Sequence, residues 1–96
     1  FTFLHVKPGK ESTLRDYVSA TWPDKFILME SQRLLEAGLL GPGTPMADLS
    51  NRIGELIMLA KGHNYLWWSD EENPLLGRHG GLSPHDMLVP FLAVRL

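Results

Sequence analysis

Cysteine is absent from the chain. This rules out a disulfide framework and a thiolate metal site, and it favours a reducing, cytoplasmic setting. Charge of one sign is also scarce. The formal net charge is −2 and the isoelectric point is about 6.1, with no cluster of lysines and arginines. A nucleic-acid partner is therefore not expected, because phosphate-backbone binding needs a concentrated basic surface. Long apolar runs are missing as well. The longest, residues 56–60, is far below the ~20 residues of a membrane-spanning helix, so a soluble segment without a membrane partner is expected. No internal repeat or low-complexity tract is present.

What remains is the composition of one globular domain. The 96 residues are 44% hydrophobic and 21% charged, and three tryptophans favour a packed core. At this length folding buries roughly 60–65% of the surface exposed by the unfolded chain, enough for one modest core and no second domain. The chain opens at Phe1 inside an apolar run and stops at Leu96 without a polar tail. Residues 1–96 are accordingly expected to be a single unit excised from a larger protein.

Residues 1–6 alternate and are rich in β formers, which predicts a strand carrying His5. After the Pro8-Gly9 turn, Leu14, Tyr17, Val18 and Trp22 fall on one face of a helix that ends at Pro23-Asp24. Residues 25–29 predict a short strand buried on both faces. A second helix from Glu30 or Ser31 carries Leu34, Leu35 and Ala37 and stops at Gly38, where a left-handed residue before Leu39 matches a helix C-terminal motif. The 41–45 loop follows, and residues 46–51 are ambiguous. Residues 52–60, with Gly54 as a bulge, and the aromatic stretch 65–68 predict a hairpin about the turn at 61–64.

The last third contains the most distinctive stretch. His79 precedes two glycines, which let a backbone turn tightly and an imidazole project from it. Ser83 reads as a helix N-cap, Pro84 as the first helical residue and Asp86 as a capping-box acid. Pro90 limits that helix, and residues 91–94 predict a final strand. The sum is an α+β fold, a two-layer sandwich with a small mixed or antiparallel sheet and two helices on one face, in the order β-α-β-α-β-β and then a C-terminal strand.

Arg78-His79-Gly80-Gly81-Leu82-Ser83-Pro84, followed by Met87-Leu88-Val89-Pro90-Phe91, resembles the C-terminal metal-ligand segment of the alkaline phosphatase superfamily, in its type I phosphodiesterase and nucleotide pyrophosphatase branch. Leu35-Glu36-Ala37-Gly38-Leu39-Leu40-Gly41 and Arg52-Ile53-Gly54-Glu55-Leu56 resemble the inserted subdomain that precedes that histidine. The resemblance implies a C-terminal part of a metal-dependent phosphodiesterase, nucleotide pyrophosphatase or phosphatase that caps the substrate cleft and supplies His79 as one metal ligand. It implies two divalent ions in the full-length protein, zinc by preference, and none tightly held by this chain alone, since a zinc shell needs three or four protein ligands. Residues 77–96 would form a histidine loop, a capped turn and a strand that rejoins the main catalytic sheet. The implied partners are the rest of the catalytic domain and a phosphate ester substrate. The family's nucleophile and its other ligands match nothing here, so the isolated chain is expected to be inactive. Arg52, Trp67 and the 41–45 loop are candidates to touch substrate.

Plainer readings apply elsewhere. His5, His63 and His85 read as structural or solvated, and the spacing of the four histidines matches no local zinc motif. Glu71 and Glu72 form a solvated acidic turn with Asp70, and Gly41-Pro42-Gly43 lacks the context of a phosphate loop. Trp67 and Trp68 would point to opposite faces of a strand, with one of them at an edge or against a partner. The alternative function is a non-catalytic binding or protein-interaction module. Residues 92–96, an unpaired apolar edge, also suggest self-association.

Overall fold

The computed structural model describes residues 1–95. Along the chain it forms β1 (Thr2–Leu4), α1 (Glu11–Thr21), β2 (Phe26–Glu30), α2 (Ser31–Glu36), α3 (Leu49–Ile53), β3 (Leu56–Ala60) and α4 (Pro84–Met87). The sheet order is β1-β3-β2, and both outer strands run antiparallel to β3. The outer strands are therefore parallel to one another, joined through α1 with β3 between them, a split β-α-β arrangement. The fold is a small α+β sandwich built on an antiparallel sheet, as the residue pattern predicts.

The core follows from the central strand. Leu56, Ile57, Met58 and Leu59 are all buried, which requires cover on both faces because successive side chains alternate. Leu34 of α2 packs with Ile57 and Leu59, joined by Phe3 and Met29. On the opposite face, Val18 of α1 and Trp22, the residue that caps its end, lie with Phe26 and Leu28, whose register partners are Ala60 and Met58. The two helices thus lie on opposite faces of the sheet, which corrects the expectation of two helices on one face. Tyr17, Trp22 and Phe26 form an edge-to-face aromatic chain, with centroids 5.8 and 5.6 Å apart.

Local chemistry places the helix ends. Gly38 adopts φ +68°, its N–H bonds the Leu35 carbonyl at 2.9 Å, and the Leu39 N–H bonds the Leu34 carbonyl at 3.2 Å. That is the two-bond C-terminal motif expected from Gly38-Leu39, and it turns Leu39 and Leu40 back beside the sheet. Ser31, the buried polar side chain at the start of α2, donates to the Ile53 carbonyl at 3.1 Å while its N–H bonds the Glu55 carbonyl at 2.9 Å. These two bonds tie α2 to the chain entering β3.

Four further expectations need correction. Residues 52 and 53 close α3 instead of opening a strand, because Gly54, at φ +61° and ψ −163°, breaks the chain direction between helix and β3. The stretch 65–68 forms no strand, although the turn before it exists, with Gly62 at φ +59° and the Asn64 N–H on the Lys61 carbonyl. Both edges of β3 are already taken by β1 and β2, so a hairpin partner has nowhere to pair. Residues 91–94 are likewise not a strand, since no neighbour supplies a ladder. Leu96 lies outside the described residues. Finally, β2 is half-exposed, Ile27 included, because it is an outer strand and not the doubly buried one.

Glu55 staples β1 to β3. Its carboxylate accepts the Val6 N–H at 2.6 Å, which holds its pKa below the ordinary value, assisted by its own N–H and by nearby His5 and opposed by partial desolvation. A carboxyl whose folded pKa is depressed stabilises the fold above its unfolded value near 4.5 and loses that contribution as pH falls through the lower folded value. Thermal midpoints measured between pH 6 and 2 should therefore fall in that acid window, and Glu55→Gln should flatten that part of the curve. An unchanged acid limb in the variant would count against the staple.

Candidate functional site

The distinctive glycine-rich stretch folds back onto the Ile57/Leu59 face of the sheet. Gly80 has φ +84°, and a Cβ there would meet the Phe1 ring at 3.2 Å. The Phe1 amino group donates to the Gly80 carbonyl at 3.3 Å. Gly81 allows a second close approach, because a Cβ on it would lie 2.7 Å from the Asp86 carboxylate. Gly80 is favoured by its left-handed backbone, whereas a side chain at Gly81 would require only that the Asp86 carboxylate shift.

Ser83 is the N-cap of α4 and Pro84 its first residue, as expected. The cap differs in detail. The Ser83 hydroxyl donates to Asp86 Oδ2 at 2.7 Å and accepts no N–H from the first turn of the helix. That bond is the main cause holding the Asp86 carboxyl below its ordinary pKa; the Gly81 N–H and the imidazoles of His79 and His85 act in the same direction, and desolvation opposes them. Leu88 N–H on the Pro84 carbonyl closes the turn at 3.0 Å.

This loop and α4 form one side of an open groove of about 510 Å³. Leu34, Ile57 and Leu59 are its buried floor, while Leu39, Leu40, Leu82 and Met87 line its sides. Arg78, His79, His85 and Asp86 bring polar groups to it. Arg78 is held by the Leu75 and Gly77 carbonyls at 2.7 and 2.6 Å and lies over the Tyr65 ring at 4.6 Å. His79 itself is exposed, and none of the described hydrogen bonds engages its imidazole.

The other sequence candidates lie apart from the groove. Arg52 is in α3, paired with Asp48 at 3.6 Å. Trp67 donates from Nε1 to the Glu71 carbonyl at 2.8 Å. Its ring lies 4.2 Å from that of Trp68, so the pair shares one side and not two, and Trp68 is the exposed member. The 41–45 loop is exposed and does not line the groove. Residue patterns missed Phe1, Leu39, Leu40 and His85 as groove residues. Only the six-residue spacing of His79 and His85 across a turn-forming Gly-Gly offered a signal for the last.

An imidazole suits zinc as a ligand, but among the described residues no group of three or more His, Asp or Glu side chains converges on a point that could hold a metal. Among the described residues no helix is long and apolar enough to cross a membrane. The chain matches no protein-family model, no curated protein and no solved structure.

Proposed function

We propose that this chain is the C-terminal part of a metal-dependent phosphodiesterase, nucleotide pyrophosphatase or phosphatase, in which it caps the substrate cleft and presents His79 to a metal site completed by residues outside it. The observation that carries the reading is the presentation of His79: an exposed imidazole with no described hydrogen bond, projecting beside a left-handed glycine at the mouth of a groove. Bound zinc would polarise a phosphoryl oxygen and lower the pKa of a coordinated water. The chain's own contribution is to hold one ligand in place and to wall the cleft.

Residues 88–94 fit the same reading. Leu88, Val89, Phe91, Leu92 and Val94 are each at least 76% exposed, as expected of a segment whose strand partners lie in the remainder of the catalytic domain. The same exposure is what favours the second reading, an interaction module that covers this segment with a partner or another copy. A chromogenic phosphodiester assay with added zinc separates the two. The full-length protein should hydrolyse the ester and the 96-residue chain should be inert. A full-length protein without zinc-dependent activity would favour the interaction module.

A further inference from the structure

We infer that the groove beside His79 is a binding site for an organic anion with an apolar body, the anionic head resting at Arg78, His79 and His85 and the body lying over the Leu34, Ile57 and Leu59 floor. Size, lining and charge distribution converge on this ligand class. The volume of about 510 Å³ falls in the range of small-molecule sites. Leu39, Leu40, Leu82 and Met87 stand 40–51% exposed around the buried floor. They give an apolar ligand side walls as well as a base, and its burial there is favourable at roughly 25 cal/mol per Å².

The polar groups are unevenly charged. Arg78, His79 and His85 line the groove together with one acid, Asp86, whose carboxylate accepts the Ser83 hydroxyl. One carboxylate stands against a guanidinium and two imidazoles, so the hydrogen-bond donors at this end of the groove suit an anionic head. Arg78 is also pre-positioned, because two carbonyls and the Tyr65 ring fix it before a ligand arrives. In the proposed function this anion is the phosphate ester and the apolar body its alcohol portion. That identification rests on the phosphoesterase reading; binding by the groove does not.

The test is a titration of the 96-residue chain with dodecyl phosphate below its micelle concentration, followed by backbone amide NMR, alongside inorganic phosphate and dodecyltrimethylammonium. Dodecyl phosphate should shift the amides of Leu39, His79, Gly80 and Leu82 and bind at least about 10-fold more tightly than either comparison compound. Leu39→Asp and Leu82→Asp, both at half-exposed positions, should each weaken it about 10-fold, and Arg78→Gln should weaken dodecyl phosphate but not the cationic amphiphile. Equal binding of the cation, shifts confined to residues 88–94, or unchanged affinity in both aspartate variants would overturn the inference. So would concentration-dependent shifts of the same amides without ligand, which would place a second copy in the groove. Zinc-dependent hydrolysis by the full-length protein without dodecyl phosphate binding would defeat this inference alone; binding without hydrolysis would defeat only the phosphoesterase reading.

Discussion

Gly54→Ala is expected to lower stability by about 2–4 kcal/mol, one of the largest single-residue effects available in a domain of this size. Two independent causes act there. The backbone at φ +61° and ψ −163° lies in a region essentially reserved for glycine. In addition, a Cβ would sit 2.5 Å from the Leu4 carbonyl oxygen and 2.9 Å from its carbon. Both contacts are backbone, so no rotamer change relieves them. β1 would have to withdraw, and with it the Glu55 N–H bond to the Leu4 carbonyl and the Leu4–Gly54 bridge. At roughly 4–8 °C per kcal/mol for a domain of under 100 residues, the thermal midpoint should fall by about 8–32 °C. Gly62→Ala provides the control. Its φ is a similar +59°, but nothing lies within 4 Å of the added Cβ, so only the cost of the left-handed conformation applies, about 1–2 kcal/mol. Equal midpoint losses in the two variants would show that crowding against Leu4 contributes nothing.

Loss of His79 is expected to act on activity and to spare the fold. On the proposed phosphoesterase reading, His79→Ala in the complete enzyme should lower kcat/KM for a phosphodiester by at least about 100-fold, or roughly 2.7 kcal/mol of transition-state stabilisation. A metal ligand should matter at least as much as the outer-shell partners whose loss costs 10–100-fold. Because the side chain is exposed and makes none of the described hydrogen bonds, the thermal midpoint of the 96-residue chain should stay within the range of an ordinary surface change, about 0.5 kcal/mol. His63→Ala, in the exposed turn after β3, should leave hydrolysis within about twofold. Comparable losses from both substitutions would remove the special status of His79.

What the residue order revealed and what it concealed divide along the range of the interactions. The stripe of Leu14, Tyr17, Val18 and Trp22 and the Gly38-Leu39 stop depend on neighbours within a few positions; the stop appears as read, and of the stripe Val18 is buried while Tyr17 is 56% exposed. The Ser83-Pro84 start of α4 is legible for the same reason. Residues 65–68 look like a strand by composition, yet β1 has travelled from the other end of the chain to occupy the place beside β3. No local pattern reports that. Gly54 was visible as a break, but its role depends on Leu4, fifty residues earlier in the chain. The groove was legible only at His79, because Phe1, Leu39 and His85 reach it by tertiary folding.

The central claim, that His79 is a metal ligand completed from outside this chain, is tested most directly by zinc content. The full-length protein and its His79→Ala variant would be equilibrated with equal zinc, freed of excess and assayed for metal per chain. Two ions in the parent and a loss of one, or at least a 100-fold weaker second site, in the variant is the expected result. Identical stoichiometry and affinity in the two proteins would contradict it and leave His79 a solvated loop residue at the mouth of the groove.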